Sequence, residues 1–188
     1  MKKLHLSYAE PETWRDNIET DMPNNEWQRL RSKILRRDDF TCQYCGFKAE
    51  KYQIVHHIDG NPNNNNEDNL ETVCGMCNVV HHSGLGCEIF NIVDLYEKSK
   101  YTQNEIIKIT RKMRVKGKND DEIKTYLGLK KIQPFKMNKT YLKKLYGFVT
   151  SRRTDNWIQN AIDYGYQVEK QRDRSMNQRT LEDIIYLE

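Results

Sequence analysis

The stretch Cys42-Gln43-Tyr44-Cys45 is followed by a second CxxC pair, Cys74-Gly75-Met76-Cys77. Two such pairs can converge on one Zn²⁺ in a tetrahedral thiolate site, which ties together segments about thirty residues apart. His56-His57 lies between the pairs, and Asn78-Val79-Val80-His81-His82 follows the second pair directly. Four of the five histidines of the chain lie in this stretch. The sequence therefore concentrates its chemistry in one place.

Composition agrees with a small intracellular protein. The chain has 188 residues, 37% of them hydrophobic, and a mean hydropathy of −0.93, so a metal cross-link would compensate for a small core. No apolar run approaches the roughly 18 residues of a membrane span, and the start of the chain lacks the apolar core of a signal peptide. We expect a cytoplasmic protein without membrane association. Cysteines stay reduced there, which favours metal ligation over disulfides, and the fifth cysteine, Cys87, is expected to be a free thiol rather than a redox group or fifth ligand.

Charge is distributed unevenly along the chain. Residues 1–88 hold 10 Lys and Arg against 14 Asp and Glu, whereas residues 89–188 hold 21 against 13. The stretch 123–154 contains no acidic residue, and a long run of one sign favours a polyanion surface over an ordinary solvated face. The candidate DNA-binding residues are Lys130, Lys131, Lys136, Lys139, Lys143, Lys144, Arg152 and Arg153.

Around the CxxC pairs, the pattern predicts a helix over about 25–37, followed by strand, loop, strand and helix. The apolar face of the first helix would contain Trp27, Leu30, Ile34 and Leu35. Residues 52–58 have the β-branched and aromatic content of a strand, the asparagine-rich segment 59–66 is typical of a loop, and residues 70–73 can pair back. The second CxxC pair would open a helix that runs through His82.

From Glu88 onward the pattern indicates helices. One is predicted over residues 89–96, a second is capped by Thr102-Gln103-Asn104-Glu105, and a third covers Glu122 to Leu127. The last two have the outline of a helix-turn-helix, although many helical hairpins share it. Residues 137–148 would form another helix, and the last forty residues one or two more.

Several motifs in order resemble the HNH endonuclease family, also called ββα-metal or His-Me finger nucleases. They are the two CxxC pairs, Val55-His56-His57-Ile58-Asp59-Gly60-Asn61, Asp68-Asn69-Leu70, and Asn78 after the last cysteine. The resemblance covers roughly residues 26–84. It implies an α+β fold in which residues 1–88 form a zinc-pinned ββα-metal nuclease module with an N-terminal helix. Outside the resemblance, the helical pattern and the basic charge predict that residues 89–188 are a mainly α-helical DNA-binding domain.

Phosphodiester hydrolysis requires a base that deprotonates water and a cation that neutralises charge on oxygen. Adjacent residues on a strand face opposite sides, so His56 and His57 cannot do the same job. By resemblance, His57 is the general base and His56 a ligand of the catalytic ion. Asn69 resembles the residue that braces the loop and orients the base, although a capping role is an alternative.

The second ligand of the catalytic ion is expected from the helix after Cys77. Asn78 occupies the family's position, His82 shares its helix face, and His81 ranks third. An asparagine ligand makes Mg²⁺ or Mn²⁺ more natural than Zn²⁺ at that site. The expected cofactors are therefore one structural Zn²⁺ per chain, held by Cys42, Cys45, Cys74 and Cys77, and a catalytic Mg²⁺ or Mn²⁺.

These residues predict a metal-dependent DNA endonuclease that leaves 5′-phosphate and 3′-hydroxyl ends. A site-specific enzyme of restriction or homing type is the first interpretation, with double-stranded DNA as partner and a homodimer left open. A non-catalytic, zinc-stabilised DNA-binding regulator is the alternative. A structure-selective or RNA-directed nuclease is a third option, because such a module reads backbone shape more than sequence.

Overall fold

The computed structural model describes residues 1–8 and 22–152. Its helices are α1 Asn24–Arg37, α2 Gly75–His81, α3 Gln103–Val115, α4 Asp120–Leu127 and α5 Lys139–Leu142. Its strands are β1 Gln53–His57, β2 Leu70–Cys74, β3 Val93–Lys98, β4 Lys130–Gln133 and β5 Tyr146–Val149. Short turns of 3-10 and π-helix cover Glu67–Asn69 and Leu85–Ile89. Within residues 1–8 and 22–152, no helix is long and apolar enough to cross a membrane.

β1 and β2 form an antiparallel hairpin, as predicted. His56 lies opposite Glu71 and His57 opposite Leu70, so the two histidines lie on different sides of the hairpin. The His57 side packs against α1, where the predicted apolar face joins Val55 and Leu70 in one buried cluster. The other side faces α2, which begins directly after Cys74.

The second half contains a three-stranded antiparallel sheet in the order β4-β3-β5. α3 begins with the predicted capping box of Thr102 and Glu105, and α4 with a capping box of Asn119 and Glu122. Gly128 ends α4 in the left-handed conformation, at φ 65°. The two helices are present, but their function as a helix-turn-helix stays a prediction.

Two predicted helices are wrong. In place of a helix over residues 89–96, the chain turns at Asn91, with φ 50°, and continues as β3. In place of a helix over residues 137–148, helix is limited to α5 and the chain ends in β5. Gly147 explains the second difference: its N–H donates to Gln103 Oε1 and its carbonyl accepts from Gln103 Nε2, both at 2.8 Å. Tertiary contacts therefore select strand over helix at both places, and the described part of the second half, residues 89–152, mixes helix and strand.

The largest buried cluster draws on both halves of the chain. It includes Leu4 and Leu6 of the N-terminal segment and Val73 and Val80 of the hairpin and α2. From the second half it includes Ile92, Val93, Leu95, Ile107, Leu142, Leu145 and Val149. A Cβ on Gly147 would lie 2.7 Å from Leu6 Cδ2, so the N-terminal segment approaches β5 closely. The division into domains at residue 88 stays a prediction.

Candidate metal centre and catalytic site

The four cysteines converge on one point. Their Sγ atoms all lie within 4.8 Å of one another and are buried, and the Sγ atoms of Cys45 and Cys74 are 3.6 Å apart. A zinc ion about 2.3 Å from each sulfur requires sulfur separations of about 3.8 Å, whereas a disulfide requires about 2.05 Å. The residues present fit a structural zinc ion, as the spacing predicts.

Local structure holds the first CxxC pair in this position. Cys42 N donates to Phe47 O, and Gly46 N donates to Cys42 O with Gly46 at φ 72°, which makes a tight turn. The buried amide of Gln53 donates to the carbonyls of Phe40 and Phe47 and ties this turn to β1. The second pair is fixed because it spans the junction of β2 and α2.

The sulfurs also affect one another's protonation. Hydrogen bonds from the neighbouring cysteines, Cys45 first, lower the pKa of Cys42. The neighbouring sulfurs, Cys42 first, raise the pKa of both Cys74 and Cys77. Since zinc requires thiolates, metal binding releases the protons that these two residues would otherwise keep.

His57 is held by two contacts on its side of the hairpin. Its ring stacks on Trp27 of α1, with centroids 5.6 Å apart and planes 12° apart. Its Nε2 lies 3.0 Å from Asn65 Oδ1. An amide oxygen only accepts hydrogen bonds, so the tautomer that satisfies this contact carries its proton on Nε2. That tautomer has its lone pair on Nδ1, the atom that a general base would use.

Asn69 braces the loop that carries Asn65. Its Nδ2 donates to Asp59 Oδ1 and to Asn64 O, both at 2.9 Å, and its Oδ1 accepts from Asp59 N at 3.1 Å. The side-chain hydrogen bond of Asn64 to Asp59 is the first cause that lowers the pKa of that carboxyl group. Hydrogen bonds therefore cross-link the asparagine-rich loop, and through the loop they connect Asn69 to His57.

His56 lies on the opposite side, among other imidazoles. Its ring stacks on that of His81, with centroids 4.9 Å apart, and meets that of His82 edge to face at 5.3 Å. Burial, followed by the charge of His56, lowers the pKa of His81 to about 3 and of His82 to about 4. Both rings are therefore neutral near pH 7, the form in which imidazole binds metals.

Glu71 is a site residue that the sequence does not single out. Its buried carboxylate accepts from Lys2 Nζ and from Tyr44 Oη, both at 2.6 Å, and its Oε1 lies 3.5 Å from His56 Nδ1. Burial raises the pKa of Glu71, but these polar contacts outweigh burial and bring it to about 2. The signal that would identify Glu71 is its position opposite His56, which requires knowing the strand register.

The ligand set of the catalytic ion stays a prediction. Asn78 and His82 lie one helical turn apart, and Asn78 O accepts from His82 N at 2.9 Å. His81 points inward, where its ring meets that of Tyr44 at 4.5 Å and its Nε2 has no hydrogen bond. Among residues 1–8 and 22–152, the four cysteines are the only group of three or more His, Cys, Asp or Glu residues whose ligand atoms lie close enough together to share a metal ion.

Some of the predicted DNA-binding cations already have contacts within the protein. Lys131 Nζ lies 3.2 Å from Glu97 Oε1, and Arg152 lies 2.7 Å from Asp94 Oδ1. Lys136 lies over the Tyr141 ring and Lys139 over the Tyr8 ring. Lys130, Lys143 and Lys144 are exposed, and Arg153 lies outside the described residues. DNA binding by this surface stays a prediction.

Comparison with known proteins agrees with the geometry. A family model described as HNH endonuclease matches residues 42–84, the segment that contains both CxxC pairs, His56, His57 and Asn69. Residues 42–84 are therefore an HNH segment with a four-cysteine metal site.

The chain is also similar to the type 4 apparatus protein DotN of Legionella pneumophila, at 38% identity over 69 residues. That alignment covers 37% of this chain and 32% of DotN. The chain therefore matches about a third of the length of this curated relative.

Proposed function

We propose that the protein is a metal-dependent DNA endonuclease that hydrolyses phosphodiester bonds to leave 5′-phosphate and 3′-hydroxyl ends. The observation that carries the proposal is the state of His57: Asn65 Oδ1 engages Nε2, and Nδ1 is left as the basic nitrogen. A water molecule beside Nδ1 would lose its proton to the ring as it attacks phosphorus. The zinc site and the Asn69-braced loop would keep the base in place.

His56, Asn78 and His82 would hold the catalytic Mg²⁺ or Mn²⁺, which supplies charge neutralisation at the phosphate and the leaving oxygen. Two imidazoles and an amide oxygen are donor groups that such an ion accepts. Glu71 Oε1 faces His56 Nδ1 at 3.5 Å, which is long for a hydrogen bond but resembles the carboxylate–histidine arrangement behind metal-binding imidazoles. His56 Nε2 would thus be the donor atom. Two nitrogen donors favour Mn²⁺ over Mg²⁺.

Plasmid cleavage tests the proposal. Full-length, zinc-loaded protein is incubated with supercoiled plasmid and Mn²⁺, Mg²⁺ or EDTA, and the nicked and linear forms are separated by electrophoresis. We expect metal-dependent nicking whose products a DNA ligase reseals, because ligase requires 5′-phosphate and 3′-hydroxyl ends. Uniform fragments would support the finer proposal of a site-specific restriction or homing enzyme. Intact plasmid with either ion would contradict the nuclease proposal.

A specific observation favours the second candidate, a non-catalytic zinc-stabilised DNA-binding protein. Trp27 covers one face of His57, which restricts the approach of a substrate to the other face. DotN, which is similar to this chain over 69 residues, is named as an apparatus component and not as a nuclease. DNA binding without cleavage in the same assay would select this function.

Asn69→Ala should reduce stability and cleavage together. The variant loses three hydrogen bonds across the loop, which we expect to lower the free energy of unfolding by about 1–2 kcal/mol. Displacement of the loop that orients His57 should lower the cleavage rate by about 10- to 100-fold. Asn66→Ala, which removes one bond in the same loop, is the control. Equal cleavage by the two variants would remove Asn69 from the positioning of the base.

The salt dependence of DNA affinity tests the basic surface. Each phosphate contact contributes about 0.9 to the slope of log affinity against log salt concentration on duplex DNA. Replacing Lys130, Lys143 and Lys144 with glutamine should therefore flatten the slope by up to about 2.7. Cleavage of saturated DNA should change much less. Lys112→Gln with Lys116→Gln, exposed cations outside the stretch, is the control. An unchanged slope would show that these lysines contact a different partner.

A further inference from the structure

One face of α3 lies against the zinc-binding part of the protein. Asn104 Nδ2 donates to Tyr44 O at 2.7 Å, within the first CxxC pair, and to Lys2 O at 2.8 Å, while its Oδ1 accepts from Leu4 N. Arg111 follows seven residues later, two helical turns along the same face. α3 therefore joins the metal site through two side chains, although it lies outside the segment that matches the HNH family model.

Arg111 contacts a zinc ligand directly. Its Nη2 donates to Cys74 Sγ at 3.4 Å, and its guanidinium carbon lies 3.7 Å from the centre of the Phe47 ring. Phe47 follows the first CxxC pair, so Arg111 bridges both halves of the four-cysteine site. The cation–π contact fixes the plane of the guanidinium, and the fixed plane directs one N–H group at the sulfur.

The charge of the site explains what this contact does. Four thiolates around one Zn²⁺ carry a net charge of −2, and all four cysteines are buried. Buried charge is costly unless it is paired and hydrogen-bonded. Among the described side chains outside the cysteines themselves, Arg111 is the one that donates a hydrogen bond to these sulfurs. We propose that Arg111 is a positioning residue of the zinc site, which neutralises part of the thiolate charge and strengthens zinc binding.

The zinc affinity of variants tests this role independently of nuclease activity. Full-length Arg111→Met keeps a long apolar stem over Phe47 but loses the charge and the N–H donor. Loss of such an outer-shell partner typically costs about 10- to 100-fold in metal affinity. We expect a loss of that size in competition with a chromogenic zinc chelator. Lys112→Met, which removes an exposed cation from the next position of α3, should keep wild-type affinity.

The cobalt-substituted protein separates this role from simple packing. Removing an N–H···S bond makes a thiolate more electron-rich, so the sulfur-to-cobalt charge-transfer band should move to lower energy in Arg111→Met and stay in place in Lys112→Met. Wild-type zinc affinity together with an unmoved band would overturn the proposal. If Arg111→Met does not fold, Arg111→Lys decides. Lysine keeps the charge but lacks the planar guanidinium group. Weaker zinc binding and a shifted band in Arg111→Lys would support the proposal, and wild-type values would overturn it.

Discussion

His57→Ala is expected to lower the rate of plasmid cleavage by about 100-fold or more, because His57 is the proposed general base that takes the proton from water. DNA affinity should stay near that of the wild type, since the proposed DNA contacts are made by the basic surface and not by this ring. Single-turnover cleavage with DNA in excess over the dissociation constant isolates the chemical step. Affinity is measured separately in EDTA, where no cleavage occurs.

His5→Ala is the matched control. His5 is exposed and meets the His81 ring only at a centroid distance of 6.1 Å, so this variant should cleave as the wild type does. Cleavage by His57→Ala at the wild-type rate would remove His57 from the mechanism. Equal losses in both variants would indicate a general effect on folding, which thermal melting of the two proteins would reveal.

Cys74→Ser should abolish both zinc binding and cooperative folding. Structural zinc contributes about 10–16 kcal/mol of apparent binding free energy at pH 7, and a typical domain is stable by only about 5–15 kcal/mol. Cys74 also ends β2 and precedes α2, inside the largest buried cluster. We therefore expect the variant to contain no zinc by metal analysis and to show no sharp transition by circular dichroism.

Cys87→Ser provides the comparison. Cys87 lies outside the four-cysteine cluster, and burial raises the pKa of its thiol, so it is a protonated, non-ligating side chain at neutral pH. This variant should keep one zinc ion per chain and a cooperative transition. Folded, active wild-type protein that contains no zinc would contradict the assignment of the metal.

The HNH segment is readable from sequence because its signals are local. The spacing of the cysteines, the β-branched run before His57, the turn residues of the loop and the capping boxes each act over a few residues, and the hairpin, α1, α2, α3 and α4 form as predicted. Metal ligation by the four cysteines also follows from spacing alone. The roles of His56, His57, Asn69, Asn78 and His82 stay predictions until the variants are measured.

The secondary structure of the second half was predicted less well because the residues that determine it are far apart along the chain. The run from Ile89 to Tyr96 has apolar residues that fit a helix face, but its second half, Val93 to Tyr96, pairs with β5, fifty or more residues later. Gly147 is held by the side chain of Gln103. Glu71 and Arg111 were missed for the same reason: their importance depends on the strand register and on helix docking.

The N-terminal segment has a consequence for how the protein folds. Its backbone bonds to the side chain of Asn104, and Lys108 Nζ donates to Met1 Sδ, across separations of 100 to 107 residues. Contacts this far apart slow folding, because a long loop must close before they contribute stability. During synthesis residues 1–4 cannot make these contacts until α3 has left the ribosome. A segment that is made before α3 therefore reaches its final place only after it.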